Sequence, residues 1–480
     1  MLQPIRGCSP LLRVAWVPRA LPSATQASSG IQAGLSCPIK QRLFIMTKQS
    51  FNYELLDFLD RSPTPFHAVS ELKRHLLKKK FVQLHEQDTW DVEPEGNYFV
   101  IRNDSSIVAF RLGKKSPVET GVRMVGAHTD SPCFKVKPNP EIESKGYNQL
   151  GVEVYGGVLL NPWFDRDLSL AGRVTLKGHQ GDLENRLIDF KEPIAIIPSL
   201  AIHLDREAND KRTVNKQTYL PPVVSLSSDQ PFELKKELSR QLKKDNPEME
   251  KVEIMDFELS FYGTQPAAVI GLNQEFIASA RLDNLLSCYT GLQALINNDS
   301  DTCQLLVCND HEEVGSGSAA GARGNFLSSI LKRLAGCDED YARMMAKSML
   351  ISTDNAHGVH PNFSDKHDPN HGAVMNAGPV IKINSNQAYA SNSETAGLFR
   401  FIADQTDVPV QSFVSRSDAR CGSTIGPLTA TVLGVRTIDV GVPTFAMHSI
   451  RELAGTDDAF YLYQILQSFY GLADLKVSPI

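Results

Sequence analysis

Two adjacent carboxylates stand where a buried strand must end. Gln304-Leu305-Leu306-Val307-Cys308 is an apolar run suited to a parallel strand covered on both faces. Asp310-His311-Glu312-Glu313-Val314-Gly315 follows it directly. Gly315-Ser316-Gly317-Ser318-Ala319-Ala320-Gly321 comes next, a small-residue run able to open a helix. In open α/β sheets, ligands bind at the carboxyl edge of the strands. A glutamate pair taken alone reads as a solvated acidic turn, because glutamate is mostly exposed. The rest of the chain changes that reading.

The 480 residues suffice for two or three domains and a substantial core. A net charge of -6 argues against a nucleic-acid or anionic-membrane partner. No stretch approaches the ~20 apolar residues of a membrane helix. The eight cysteines are scattered, with no CxxC, and read as reduced thiols of a cytosolic-type compartment. Residues 1–45 stand apart. They carry Arg6, Arg13, Arg19, Lys40 and Arg42, and the first acidic residue of the chain is Glu54. That is the composition of a transit peptide. The favoured alternative is that translation begins at Met46, ahead of a well-patterned helix. On either reading we expect 1–45 to lie outside the folded protein, which we expect in the cytoplasm.

From Asn52 to Leu59 and from Ala68 to Lys80 the spacing predicts amphipathic helices. Tyr98–Asn103 and Ser106–Leu112 read as a strand pair, and 121–127 as a strand ending at His128-Thr129-Asp130. Between 134 and 258 the texture becomes that of a small inserted β domain, with strands expected at Gly151–Leu160, Leu170–Leu176 and Leu183–Phe190. A charged helix is expected over Phe232–Lys251. The α/β pattern then returns over 259–480, completing a domain begun at 46–133. Arg281-Leu282-Asp283-Asn284 leads into a helix, Ser348–Thr353 is a buried strand ending at Asp354, and Val432–Asp439 is another, upstream of His448.

Taken singly, the polar residues at these ends have plain explanations. Asp283 suits a helix N-cap, Asp354 a turn, and His128 and His448 satisfied core imidazoles. Together they form a pattern. His128, Glu312-Glu313, Asp354 and His448 all follow apolar strand-like runs, and Asp283 stands at the mouth of a helix. Three acidic and two imidazole ligands suit two divalent ions such as zinc, manganese or cobalt. Two ions need a bridging carboxylate, and a water between them needs a further carboxylate as proton acceptor. The glutamate pair supplies one ligand and one base, in either order. Asp130, two residues past His128 on an extended segment, can orient that imidazole.

The spans HTDSPCF (128–134), WFDRDLSLAGRV (163–174), RLDNL (281–285), DHEEVGS (310–316), DNAHGVHPN (354–362), GPVIKINSNQ (378–387) and AMHSIRE (446–452) resemble the aspartyl aminopeptidase family, dinuclear zinc exopeptidases. The resemblance runs from about 50 to 470. It implies a three-layer α/β/α catalytic domain interrupted by a β-rich dimerisation domain, and assembly of dimers into a tetrahedral dodecamer. It implies that His128, Glu313, Asp354 and His448 are terminal ligands, Asp283 the bridge and Glu312 the general base. Lys382 matches the basic residue of a pocket for an acidic side chain, lined by motifs holding His357, His360 and Tyr389. Ala388 stands where relatives are expected to carry a basic residue. His203, in the apolar stretch Leu200-Ala201-Ile202-His203-Leu204, reads by itself as a structural imidazole. The resemblance implies instead that it crosses the dimer interface and stabilises charge in the partner's active site. The expected activity is removal of N-terminal Asp or Glu from peptides. The alternatives are the same chemistry on neutral N-terminal residues, or a non-catalytic assembly protein.

Overall fold

The computed structural model describes residues 46–178, 181–249 and 252–475, so the expectation for 1–45 lies outside the described residues. A nine-stranded sheet forms the centre. Its order is Val82–Leu84, Asn97–Arg102, Ser106–Arg111, Cys303–Asn309, Val122–His128, Met349–Thr353, Arg436–Gly441, Val380–Ile383 and Gln411–Val414. The four strands from Cys303–Asn309 to Arg436–Gly441 run parallel, so their carboxyl ends open at one edge. Ser106–Arg111 flanks them antiparallel on one side and Val380–Ile383 on the other.

Strand residues alternate between two apolar clusters. Val125, Ala127, Leu306, Cys308, Met349 and Ile351 belong to one. Val122, Met124, Leu305, Val307 and Leu350 belong to the other. This period of two, with no polar face, is what a sheet covered on both sides requires. Helices Lys48–Asp60, Pro65–Lys78, Leu282–Ile296, Ser393–Gln405 and Asp458–Gly471 cover the first face; Phe326–Ala335 and Asp338–Ala346 cover the second. The result is a three-layer α/β/α unit. Helix Leu282–Ile296 is buried along its whole length, which suits its largely apolar sequence, whose polar residues are Asp283, Asn284, Ser287, Thr290 and Gln293. At about 1.5–3 kcal/mol per buried leucine side chain, its five leucines anchor whatever sits at its first turn.

A second, six-stranded antiparallel sheet draws on residues 133–263, in the order Leu183–Asp189, Leu168–Lys177, Ile254–Gly263, Cys133–Ser144, Tyr147–Tyr155, Val223–Leu226. Its core combines Phe134, Trp163, Leu168, Leu170 and Phe261 with Leu234, Leu238 and Leu242 of helix Leu234–Asp245. A third sheet, of five short strands, was not foreseen: Ala268–Ile270, Phe276–Ser279, Glu452–Gly455, Pro443–Phe445 and Ala356–His357.

Several boundaries differ from expectation. The charged helix ends at Asp245, where Asn246-Pro247 cannot continue it. The strand expected to reach Leu160 stops at Tyr155, because Gly156 turns at φ +70°. The run Gly315–Gly321 forms turns rather than opening a helix, and helix Phe326–Ala335 begins later. Val432 and Leu433 end helix Ile425–Leu433; the strand starts at Arg436.

Candidate metal centre

The carboxyl ends of the parallel strands deliver the first ligand candidates. His128 ends its strand opposite Asn309, and Asp354 directly follows Met349–Thr353. The glutamates occupy a single 3-10 turn, Glu312–Val314, between His311 at φ +66° and Gly315 at φ +93°. Asp283 is not the N-cap the sequence suggested. Arg281 takes the left-handed cap position, and Asp283 and Asn284 depart from helical geometry inside the first turn. Three contacts hold this irregular stretch. The Asp283 N–H donates to Glu452 Oε2 at 3.0 Å, the Ser131 hydroxyl to the Asp283 carbonyl at 2.6 Å, and the Asn284 amide to the Thr353 carbonyl at 2.8 Å. His448 lies past the short strand Pro443–Phe445, in the left-handed region at φ +69°.

These side chains converge. Asp283 divides its carboxylate: Oδ1 lies 3.4 Å from His128 Nε2, and Oδ2 lies 3.5 Å from His448 Nε2. Each imidazole has its own second carboxylate. Asp354 Oδ1 is 3.6 Å from His128 Nε2, and Glu313 Oε2 is 3.4 Å from His448 Nε2. Glu312 Oε2 is farther out, 3.9 Å from His128 Nε2. Two groups with the spacing of a metal site, His128-Asp283-Asp354 and Asp283-Glu313-His448, share Asp283; a third combination joins His128 with both glutamates. Asp283 Oδ1 and Glu313 Oε1 are buried without a hydrogen-bond partner. Buried carboxylate oxygens left open in this way fit a divalent cation, because an unpaired buried charge is otherwise costly.

The electrostatics point the same way. Burial pushes Glu312 up to about 7, with Asp354, Asp130 and Asp283 adding to the rise against His128. Burial, then Asp283, raises Glu313. Burial alone would lower His128, but the neighbouring carboxylates of Asp130, Asp283 and Asp354 outweigh it and raise the imidazole above its usual range. Crowded carboxylates that must share protons make a site that favours multivalent cations.

Around this cluster two buried acids act on backbone rather than on ligand atoms. Asp130 accepts the Glu312 N–H at Oδ1 and the Glu313 N–H at Oδ2, both at 3.1 Å, and the Tyr155 hydroxyl at Oδ2 at 2.6 Å. The His128 imidazole meets it mainly through the Asp130 carbonyl, 3.0 Å from Nδ1, with the carboxylate at 3.4 Å. So Asp130 orients the glutamate turn more directly than the imidazole. Glu452 is the other such acid; neither it nor Tyr155 was singled out in the sequence. Glu452 stands four residues past His448 within AMHSIRE, and Tyr155 precedes a Gly-Gly pair at a strand end, which is the only signal each offered. Gly157 accepts from His448 Nδ1 at 3.1 Å. At Gly156, with φ +70°, a Cβ would come within 3.1 Å of that of Glu313, so the position favours glycine.

Lys382 is buried on strand Val380–Ile383. It donates to Asp354 Oδ2 at 3.2 Å and to the Asn355 carbonyl at 2.9 Å, with its ammonium 5.3 Å from the Tyr389 ring centre. Burial opposes it, but Lys382 and His128 hold Asp354 well below the usual carboxylate range. Tyr389 is buried. His357 is exposed at the end of its strand, its ring 5.9 Å from that of Phe413, and the fields of Lys382, Asp283 and Asp354 reach it. His360 packs between Phe363 and Phe445 at 4.9 and 5.2 Å. His203 is not a buried structural imidazole: it sits exposed on a turn beside the exposed Leu200, Ile202 and Leu204. Within one chain it is not gathered into the cluster.

Comparison with known proteins accords with this geometry. A family model described as "Aminopeptidase I zinc metalloprotease (M18)" matches residues 58–470. A "Probable M18 family aminopeptidase 2" of Pseudomonas syringae pv. syringae (strain B728a) is 59% identical over 429 residues, covering 89% of this chain and 100% of that protein. Among solved structures, "Cryo-EM structure of the Ape4 and Nbr1 complex" aligns with TM-score 0.85 and 39% identity over 88% of this chain and 86% of that one. "Structure of S. cerevesiae mApe1 dodecamer" aligns with TM-score 0.75 and 29% identity, over 87% and 95%. A match that spans nearly the whole described fold, on a chain whose histidines and carboxylates converge as a metal site would need, leaves one conclusion: the chain belongs to the M18 family of zinc metallo-aminopeptidases.

Proposed function

We propose that this aminopeptidase removes N-terminal Asp or Glu from peptides, using two divalent ions and Glu312 as general base. The observation that carries the reading is the divided carboxylate of Asp283, one oxygen facing each imidazole. His128, Asp354 and Asp283 would hold one ion; His448, Glu313 and Asp283 the other. Zinc, or manganese or cobalt in its place, supplies Lewis acidity toward the scissile carbonyl and acidifies a water. Glu312 takes the water's proton and returns it to the leaving amine. Its outlying position suits a group that handles a proton rather than holds an ion. Asp130 holds the turn that aims it.

Lys382 is the counter-charge for the substrate's acidic side chain, with Tyr389, His357 and His360 shaping the pocket. An ammonium has three donors, and Asp354 and Asn355 engage two. His203 completes the site of a neighbouring subunit, where a donor aimed at the developing oxyanion stabilises it. Its exposed, apolar surroundings favour burial against another copy. Dimers built on the second sheet then assemble into a dodecamer, the state named for the similar mApe1 structure. The six described cysteines are free, which accords with a cytoplasmic protein. The test is release of free amino acid from peptides whose first residue is Asp, Glu, Leu, Ala or Lys, before and after chelation and after zinc is restored. Activity should vanish on chelation, return with zinc and favour Asp and Glu. Full turnover in metal-free protein would end the metal reading, and a preference for Leu or Ala would end the acidic one.

A further inference from the structure

Glu452 is a buried carboxylate, 2% exposed. Its two oxygens reach two backbone donors that are remote from one another in sequence. Oε1 accepts the His448 N–H at 2.7 Å, and Oε2 accepts the Asp283 N–H at 3.0 Å. Neither donor has a place in a regular ladder. His448 is in the left-handed region, and Asp283 occupies a kinked first helical turn, where N–H groups have no intrahelical partner. One small sheet brings them together. Glu452 begins strand Glu452–Gly455, opposite Ser279 of strand Phe276–Ser279. That strand leads into Asp283, while His448 lies on the turn entering Glu452.

We infer that Glu452 is a positioning residue for one of the two metal sites, fixing His448 and the shared Asp283 relative to each other through their backbone N–H groups. The inference rests on the dinuclear reading above. The other site depends on it less, because His128 and Asp354 stand at ends of the central sheet, set by parallel ladders that Glu452 does not touch. Two hydrogen bonds accepted by one rigid carboxyl group hold a geometry better than two separate acceptors would, since neither donor can shift without straining the other. Groups that orient ligands in this way typically govern metal affinity by 10- to 100-fold.

Glu452→Gln keeps the shape but turns an NH2 group toward one of the two N–H donors. Full-length wild type and variant would be stripped of metal and titrated with zinc against a competing chelator, with bound zinc counted by elemental analysis. Wild type should bind two equivalents, and fewer than two in wild type would refute the dinuclear reading itself. The variant should lose about 10- to 100-fold at the site of His448 and Glu313 and distinctly less at the site of His128 and Asp354, which shares only Asp283 with it. Equal weakening of both sites, or of neither, would overturn the assignment to Glu452. A fold defect would weaken both sites alike, so selectivity separates positioning from structure. If the variant does not fold, amide hydrogen exchange on the metal-free wild type decides. The Asp283 and His448 N–H groups should be protected without zinc, and exchange at unstructured rates would overturn the inference.

Discussion

Replacing Lys382 by methionine keeps the apolar stem of a buried side chain and removes only the ammonium. Two separate losses follow from its contacts. The first falls on every substrate. Asp354 loses the donor at 3.2 Å that compensates its burial, and breaking a buried ion pair costs about 3–5 kcal/mol. A cation bound beside Asp354 offsets part of that, so this loss should shrink as zinc is raised. The second falls on acidic substrates alone. A hydrogen bond from an ammonium to a carboxylate contributes about 1.5–3 kcal/mol. At 1.36 kcal/mol per tenfold, that is roughly a 10- to 150-fold change in selectivity. The assay is kcat/KM for a matched pair of peptides beginning with Asp and with Leu, at zinc concentrations that saturate both proteins. The Asp/Leu ratio should fall by that factor, whatever happens to the absolute rates. An unchanged ratio would refute the role in acidic recognition and leave Lys382 as the counter-ion of Asp354.

Glu312→Gln should retain both metals and lose ~10²- to 10⁴-fold in turnover, whereas Glu313→Gln should lower bound zinc; the reverse pattern in metal analysis would exchange the two roles. His203→Ala should leave metal content and assembly intact and reduce kcat by about 10²-fold. Mixed with Glu312→Gln subunits it should recover activity, and no recovery in verified hetero-dimers would sink the shared-site reading. His67, which is not among the ligand candidates, gives a separate pH signature. Burial, then Arg281 and Lys191, lowers it from 6.5 to about 4. The unfolded chain therefore binds more protons than the folded one between those values. Stability is full above about 6.5 and declines as pH falls to about 4, by at most about 3 kcal/mol. Chemical unfolding of His67→Gln should show a shallower loss over that window, and parallel curves would exclude His67 as the cause.

The central sheet was legible because its strands are continuous apolar runs, and where such a run stops the next residue must face the sheet edge. That logic located His128, Asp354 and the glutamate pair without any knowledge of pairing. Asp283 was harder. Its residue type and position suggested a cap, but the backbone there answers to Ser131 and to Glu452, the latter 169 positions away. Local preference could not register such partners. The five-stranded sheet escaped notice because its strands run two to four residues, too short for any period to emerge. Glu452 was invisible for a related reason. A lone glutamate reads as solvated, and only the two distant N–H groups make its burial tolerable. The exposed setting of His203 was likewise hidden, since apolar neighbours suggest a core until the chain is seen to leave them on the surface.

The second sheet reaches the cluster from the end of one strand: the Tyr155 hydroxyl on Asp130, the Gly157 carbonyl on His448 Nδ1 and, just beyond, the Leu159 N–H on the His448 carbonyl at 3.1 Å. This makes residues 133–263 a poor candidate for a transplantable cassette. A chimera that replaces them with a relative's module must import the tyrosine and the Gly-Gly turn in register. Otherwise the graft arrives with Asp130 short of a donor and the outer nitrogen of His448 unanchored. Variation within this region is correspondingly unequal: its distant strands and helix can drift, while these three consecutive residues are bound to the chemistry of a sheet to which they do not belong.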